Sequence, residues 1–415
     1  MKVMKKREMK NIGWKLNWLT NMSYVFVGLY FILSFCFFFF REMVGDEFVF
    51  VEEFSKNHTD SLDYLWLKDV CIPLIVLTTP LTLIFSKIMA IRVFNLILMS
   101  MYLLITIRTL KKYKIQFLFH SLFYFATVGF FFSATNDALY SLSLALFFIL
   151  SQHSLENGKK YVSLTAFCLI LAIFTRYIII IFLPVIIFFL YRQYQEDKES
   201  FRRFFKMFLI LLIPFLTINM GSIAHQGKIS YTVKDRLQDQ HGVSWSQRQY
   251  LAQILVNSGE LRFGQHPSWE YTRKFLDENG TDALPKSIMK SWLFDLELTF
   301  KEFFKDFSLT IFYAFRQVGI VIFLILCLPL YNWLKKKNLG ESVIPLSIIY
   351  LIAVFSFIII SNVELRWLSS GFLLGIWYYS KLLSINKWSK VFQTINSSVL
   401  ILLSLYGSFG LILRF

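Results

Sequence analysis

The sequence predicts an all-α polytopic membrane protein with about 11 membrane-spanning helices. Hydrophobic residues fill 56% of the 415 positions, and 47 residues are phenylalanine, which is more than a soluble domain of this length needs. Apolar runs of near membrane-spanning length recur along the whole chain. The charged residues collect in the segments between those runs. Together these observations indicate a bundle of helices embedded in a membrane.

The net charge of +16 fits the same fold class. Lysine and arginine gather in the cytoplasmic loops of membrane proteins, and here the basic residues flank apolar runs instead of forming one patch. We therefore expect no nucleic-acid partner, whereas membrane lipids are expected partners. The cysteines lie within or at the edge of apolar runs and show no spacing typical of a metal site or a disulfide: Cys36, Cys71, Cys168 and Cys327.

The first apolar run, at about 18–40, sets the orientation of the chain. Six basic residues precede it, so the N-terminus is expected in the cytoplasm. The basic start and this run look like a retained signal anchor. Residues 41–91 then form an external loop, and its interior, 48–67, mixes acidic and aromatic residues at helical spacing. That pattern predicts short helices on the membrane surface.

The segment 72–88 is apolar, but it is short and is interrupted by Pro73 and Pro80. If it does not cross the membrane, the later lysine-rich loops are all cytoplasmic. The short external turns then hold only two basic residues, Arg176 and Arg366. If it does cross, every later loop inverts, against the preference for positive charge inside. We therefore predict that this segment is re-entrant or lies on the outer surface.

The remaining spans follow from the apolar runs. They are predicted at about 91–109, 115–133, 138–152, 161–175, 177–192, 206–221, 308–333, 343–361, 368–383 and 393–413. The segment 222–305 is too long and too rich in Trp, His and charge for a connector, so we expect an external cap with helices near 246–258 and 268–278. The chain thus divides into a membrane module with an acidic first loop (1–221), this cap, and C-terminal spans (306–415).

Acidic residues follow the spans at two external places. Asp46 and Glu47 come directly after the first span, where they are either a solvated loop start or a general base or metal ligand. Asn136 and Asp137 lie in the turn before the fourth span. There either residue would cap the start of a helix, which does not exclude a functional role.

Two arginines occupy the other external turns. Arg176 lies between two strongly apolar runs, where a cation is costly and marks a functional candidate, unless it reaches out to lipid headgroups. Arg366 lies beside Glu364, a simple pairing partner, and Trp367, a membrane-interface anchor. The basic residues of the other loops set the topology, and in that topology all four of these turns are external. We therefore expect their side chains to surround one pocket.

These residues give the chain a resemblance to the GT-C superfamily of integral-membrane glycosyltransferases. That superfamily includes the protein O-mannosyltransferases, the lipid A aminoarabinose transferase and the dolichol-pathway glucosyltransferases. The similar segments are Gly45-Asp46-Glu47, Thr78-Thr79-Pro80, Ile91-Arg92-Val93-Phe94-Asn95, Thr135-Asn136-Asp137-Ala138-Leu139, Ile173-Phe174-Thr175-Arg176 and Glu364-Leu365-Arg366-Trp367. The last segment has Trp where the superfamily has Tyr. The Pro-Pro-Leu-Tyr stretch that usually follows the acidic loop in the superfamily is only partly present here.

The resemblance implies a GT-C-type fold, a polyprenyl- or dolichyl-phosphate sugar as the donor, and a glycan, lipid or protein hydroxyl as the acceptor. Transfer would be inverting and would take place at the external, periplasmic or lumenal, face of the membrane. In this interpretation Asp46 and Glu47 are the catalytic residues, with Asp46 as general base or as the group that orients the hydroxyl.

The resemblance also implies roles for the other turns. Arg176 and Arg366 would bind the donor phosphate and stabilise its growing charge. Glu47 and Asp137, together with Asn136, would position the acceptor or a divalent ion. The cofactor question stays open: a divalent cation, Mg²⁺ or Mn²⁺, would have Asp46 and Asp137 as its ligands.

Two other functions stay open. A membrane polysaccharide polymerase or ligase would rely on basic residues of the cap: Arg236, Arg248, Arg262 and His266. A transporter or flippase for lipid-linked sugars would be expected to carry charges at mid-membrane and paired repeats, and the sequence shows neither.

Overall fold

The computed structural model describes residues 2–57, 71–158, 161–231, 241–335, 342–360, 363–385 and 389–414, and within these ranges the chain is helical without β-strands. The helices are α1 Lys2–Phe40, α2 Asp46–Asn57, α3 Ile72–Thr78, α4 Lys87–Thr109, α5 Lys114–Val128, α6 Asp137–Asn157, α7 Val162–Thr175, α8 Ile179–Glu196, α9 Lys198–Gln226, α10 Trp245–Asn257, α11 Trp269–Asn279, α12 Ile288–Phe294, α13 Leu296–Val318, α14 Val321–Leu334, α15 Val343–Ser356, α16 Ser369–Ile385 and α17 Ser389–Ile412. Short 3-10 segments lie at Thr79–Leu83, Phe130–Phe132 and Leu365–Leu368.

Helix α6 forms the centre of the bundle. Its residues are buried without interruption from Asp137 to Ser154, and 89% of its most apolar window lies inside the protein. A helix that is apolar on every side buries every side. It packs against α4, α7, α8 and α16, so helices from both halves of the chain are held around it.

The first and last helices close the bundle on one side. α1 packs along α17 and also contacts α5. The approach of α1 and α17 is close at Gly407, where a β-carbon would overlap the ring of Tyr30. On another side, α7 packs against both α6 and α9.

Six of the described helices are long and apolar enough to cross a membrane: α1 over Trp18–Phe40, α4, α6, α8, α9 over Lys198–Ala224 and α17 over Lys390–Ile412. The pair α13 and α14 adds a seventh if the two are counted as one span. Helices α7 and α15 are apolar but shorter. The chain thus has the makeup of a polytopic helical membrane protein, as the sequence predicts, while the count of about 11 spans stays a prediction.

One continuous helix was expected at about 308–333, and that expectation is wrong. α13 ends at Val318 and α14 begins at Val321, with 118° between the two helices. Gly319 makes the break, because its φ is +61° and a β-carbon there would lie 2.9 Å from Oδ1 of Asn396. Only glycine adopts this backbone without strain. The apolar pattern runs on through the break and therefore does not reveal it.

The segment 72–88 is broken near Pro80, whereas Pro73 lies in the first turn of α3. The seven-residue α3 is followed by the 3-10 segment Thr79–Leu83, and a new helix starts at Lys87. Ile72–Leu83 is too short to cross a bilayer as a helix. This agrees with the predicted re-entrant or surface segment. Helix α2 lies in the stretch where surface helices were predicted, its position relative to the membrane stays a prediction, and residues 58–70 lie outside the described residues.

The cap contains the two helices that the sequence predicts, α10 and α11. Each begins at a serine whose side chain accepts a hydrogen bond from the backbone N–H three residues on, Ser244 from Gln247 and Ser268 from Tyr271. The Gln247 side chain also accepts from the Ser244 N–H, which completes a capping box. Short-range capping interactions therefore set the start of both helices.

The predicted bounds of the cap differ from the observed ones. α9 extends to Gln226 and α13 begins at Leu296, so both predicted ends of 222–305 fall inside helices. The cap has a small apolar core of its own, with Tyr250, Leu251, Leu255, Leu276 and Leu284, which Ile359 joins.

We expect Gly129→Ala to destabilise the protein more than Gly158→Ala. Both glycines have positive φ, +67° and +85°, so both substitutions strain the backbone. Only at Gly129 would the new methyl meet a side chain, the ring of Phe38 at 2.7 Å. This overpacking should add a loss of about 1–3 kcal/mol. Thermal unfolding of the two detergent-purified variants measures the loss of stability in each. Equal losses in the two variants would contradict the close contact between Gly129 and the Phe38 ring.

Candidate functional site

Four separated parts of the chain meet at one end of α6. They bring the start of α2 with Asp46, the start of α6 with Asp137, the turn after α7 with Arg176, and the 3-10 segment with Arg366. These side chains form direct ion pairs with one another. We call them, together with Glu364, the charge cluster. The structure thus brings together four charged residues that the sequence distributes over four turns, while their roles stay predictions.

Arg366 lies at the centre of the charge cluster. Its Nη1 is 3.0 Å from Oδ2 of Asp46 and 3.1 Å from Oδ2 of Asp137, and its Nε donates to Glu364. Burial lowers the pKa of this guanidinium, but Glu364 and Asp46 more than offset that effect, so its pKa lies above the usual value. Arg366 is therefore a fixed cation that holds carboxylates from three parts of the chain.

Asp137 is the buried carboxylate of the cluster. Its Oδ1 pairs with Arg176, and its Oδ2 accepts from Arg366 and from Thr135 Oγ1, the latter at 3.1 Å. A charge is stable in a buried place only when it is paired and hydrogen-bonded. The two guanidiniums meet that requirement, and in turn Asp137 holds them beside each other.

Asn136 joins two of the turns and does not cap α6 with its side chain. Its Nδ2 donates to the carbonyl oxygen of Thr175 at 3.0 Å. The thiol of Cys71 lies 3.7 Å from the same carbonyl. These contacts therefore hold three segments together beside the charge cluster: the start of α6, the end of α7 and the start of α3.

Arg176 follows α7 in extended backbone conformation. Its side chain is 20% exposed, and the next residue, Tyr177, is largely exposed. Burial lowers the pKa of Arg176 to about 10, with Arg366 as the next contribution, so the guanidinium remains charged at neutral pH. Arg176 is therefore paired with Asp137 and still partly exposed.

Glu47 occupies a different environment from its neighbour Asp46. Its side chain is 1% exposed. Oε1 accepts from Nε and Nη2 of Arg92, at 3.2 and 2.9 Å, and from the Ala134 N–H at 2.6 Å, while Oε2 accepts from the Val44 N–H at 3.1 Å. With both oxygens engaged, the geometry favours the positioning role for Glu47 over the catalytic role, the two roles that the resemblance implies.

Arg92 and Asn95 are the site residues to which the sequence reasoning assigned no role. Arg92 is 2% exposed, and its Nη1 donates to the carbonyls of Phe39 and Arg41 at 2.6 and 2.8 Å. Asn95 donates from Nδ2 to the Ser133 carbonyl at 2.7 Å. An arginine and an asparagine three residues apart lie on one face of a helix. Because the rest of this helix is strongly apolar, two polar residues on one face were the sequence signal that could have marked Arg92 and Asn95 as site residues.

The two proposed metal ligands do not fit a resident cation in this arrangement. Asp46 and Asp137 are bridged by Nη1 of Arg366, which occupies the position of positive charge between them. Across the described ranges, no three Asp, Glu, His or Cys side chains gather as metal ligands.

The basic residues of the cap are arranged for packing or lie at the surface. Nε of Arg248 donates to the Pro267 carbonyl at 2.7 Å, and its guanidinium lies 4.8 Å from the ring centre of Trp269. Burial lowers the pKa of Arg248. Arg262 is exposed. Of the remaining residues, His266 is half-buried and Arg236 lies outside the described residues.

Comparison of the chain with protein-family models, with curated proteins and with solved structures found no match. What the site can do must therefore be argued from its own geometry.

We expect Arg92→Met to lower the free energy of unfolding by about 3–5 kcal/mol, because it leaves the Glu47 carboxylate buried without its partner. The double variant Glu47→Gln/Arg92→Met should lose less than the sum of the two single losses. Arg203→Met is the control, since Arg203 and its partner Glu199 are 60% and 58% exposed; its loss should stay below about 1 kcal/mol. Similar unfolding temperatures for the two arginine variants would refute the positioning role.

Proposed function

We propose that the chain is a GT-C-type glycosyltransferase that moves a sugar from a polyprenyl- or dolichyl-phosphate donor to a hydroxyl of a glycan, lipid or protein. The charge cluster is the observation that supports this function best. Guanidiniums and carboxylates from four distant segments converge at the end of a buried apolar helix. Charge beside apolar spans is costly and is by default functional. Fixed cations next to an accessible acid suit transfer from an anionic leaving group.

The proposed topology has about 11 spans, a cytoplasmic N-terminus and the charge cluster on the external face. Two observations support it. The four turns that it places outside lie together at one end of α6. The segment Ile72–Leu83, which it leaves outside the set of spans, is too short to cross a bilayer as a helix.

In the proposed reaction the acceptor hydroxyl attacks the anomeric carbon from the face opposite the lipid phosphate, so the configuration inverts. A carbon–oxygen bond forms to the acceptor, and the bond from the anomeric carbon to the phosphate oxygen breaks, with its electron pair leaving on the phosphate. Asp46 takes the proton of the hydroxyl, or orients it. Arg176, with Arg366 beside it, stabilises the charge that grows on the leaving phosphate.

The distribution of charge suggests how the two arginines share this work. Arg366 is held by three carboxylates, Asp46, Asp137 and Glu364, whereas Arg176 pairs with Asp137; the two arginine side chains are exposed to a similar extent, 25% and 20%. A phosphate reaches Arg176 with less rearrangement. We therefore assign the main phosphate contact to Arg176, and to Arg366 the task of holding Asp46 in place. Asp137 and Asn136 then position the arginines and the turn, and through them the acceptor.

Asp46→Asn should lower kcat by about 10²–10⁴-fold, because an amide cannot accept the hydroxyl proton, while KM for the donor changes little. To measure kcat and KM, the purified full chain is given synthetic lipid-phosphate sugars and candidate acceptors. The release of polyprenyl phosphate is then followed. Asp282→Asn, a change at a carboxylate that is 95% exposed in the cap, is the control and should have no effect. Wild-type turnover by Asp46→Asn would exclude the proposed base.

Arg176→Ala should lower kcat by about 10²–10³-fold and raise KM for the donor, since both the bound phosphate and the leaving phosphate lose a fixed cation. Arg176→Lys should recover only part of the rate, because an ammonium lacks the planar fork of a guanidinium. Arg203→Ala removes an exposed arginine and serves as the control. An unchanged KM and kcat in Arg176→Ala would remove the donor-phosphate assignment.

The same assay separates this function from a cap-based polymerase or ligase. That alternative requires loss of turnover in Arg262→Ala and normal turnover in Asp46→Asn, the reverse of what we expect. Arg248 is less informative, because its contacts with Pro267 and Trp269 hold the cap together. A transporter would move lipid-linked sugar across liposomes without releasing lipid phosphate.

A further inference from the structure

A second polar site lies at the other end of the helices that carry the charge cluster. A cavity of about 260 Å³ opens where α4, α6 and α16 end, with Thr109, Glu156 and Lys381 in its lining. Glu156 and Asp137 are at opposite ends of α6, roughly 28 Å apart at 1.5 Å per residue. That separation is about the thickness of the hydrocarbon layer of a bilayer. The cavity therefore faces the side of the membrane opposite the charge cluster.

The lining of this basic cavity is rich in lysine. Lys111, Lys112 and Lys381 contribute to it, together with the carboxylate of Glu156. Glu156 pairs with Lys381 and also accepts a hydrogen bond from Gln152 Nε2 at 2.6 Å. In the described part of the chain, neither Lys111 nor Lys112 has a carboxylate partner. The cavity thus carries more positive than negative charge, and two of its cations are free to bind an anion.

The inner wall of the cavity is formed by a buried tryptophan. Trp377 is buried and donates from Nε1 to Oγ1 of Thr109 at 2.8 Å. The ammonium of Lys381 lies 5.4 Å from the Trp377 ring centre, and its side chain is 28% exposed. A lysine held between an aromatic ring and a carboxylate is positioned, unlike a lysine that moves freely in solvent.

The loop that supplies the other two lysines is short and held at both ends. Leu110 is buried, and Tyr113 has a φ of +57°, a left-handed conformation that is uncommon outside glycine. The surrounding structure must impose such a conformation. Lys111 and Lys112 lie between these two fixed points and are exposed at the rim of the cavity. Their backbone is therefore presented in one arrangement.

We propose that the basic cavity binds a phosphate-bearing anion at the membrane face opposite the charge cluster. The ligand is either the headgroup of an anionic lipid or a free phosphate or diphosphate, since both present the same chemistry to the three lysines. Lysine is a common ligand of phosphate groups in proteins. The preference for positive charge in cytoplasmic loops explains why lysines are on this face, but it does not explain a walled cavity with a buried tryptophan. This site is independent of the transferase function proposed above.

Two probes test this site in the full chain. Inorganic pyrophosphate is titrated into detergent-purified protein by calorimetry, and phosphatidylglycerol retained from mixed nanodiscs is counted by native mass spectrometry. In Lys111→Ala/Lys112→Ala the affinity for the bound probe should fall roughly 10- to 30-fold, at about 1 kcal/mol for each lost charge. Arg202→Ala/Arg203→Ala is the matched control, because it removes two exposed cations from α9 on the same predicted face.

Glu156→Gln gives a second, opposite readout. It keeps an acceptor oxygen for Gln152 but removes the negative charge that competes for Lys381, so affinity should rise roughly fivefold. Binding of phosphatidylglycerol alone identifies the ligand as a lipid headgroup, and binding of pyrophosphate identifies a free anion. Equal affinities in wild-type protein and the lysine double variant, or an equal loss in the arginine control, would overturn the assignment.

Discussion

The arrangement of the charge cluster depends on the buried ion pair between Glu47 and Arg92. Glu47 is bound by a side chain of α4 and by the backbone before α6, and Arg92 also binds the carbonyls at the end of α1. Because Asp46 directly precedes Glu47, the same contacts fix where Asp46 lies. A buried pair contributes little net stability on average. Its role here is better understood as positioning, since it selects one arrangement of the loop.

Much of this arrangement followed from simple physical rules. Counting basic residues put four turns on one face, and the structure has their charged side chains in contact. The two cap helices lie close to where they were expected, and each begins at a serine cap, which is a local interaction. The break at Gly319 was not predictable, since a glycine within an apolar run shows no periodic signal. The pairing of Glu47 was missed for a related reason: its partner Arg92 is 45 residues away and is selected by tertiary packing.

In the central helix α6, the acidic side chains lie at the two ends. Between Asp137 and Glu156, α6 carries no Asp, Glu, Lys or Arg, and it is buried on every side. A charge there would need a partner in the middle of the membrane, which is costly. At the ends, free backbone groups and water lower that cost. The same helix therefore separates two charged regions and fixes the distance between them.

The choice of cation at each end matches its surroundings. The charge cluster, where Asp137 is buried, uses arginines, which stay protonated under burial and bind two carboxylates at once, as Arg366 does. The basic cavity is open to solvent at its rim and uses lysines, whose compact, hydrated charge suits an exchangeable anion. An exchange of the two residue types would weaken both places, because a buried ammonium loses its charge more readily and has no planar fork with which to bridge Asp46 and Asp137.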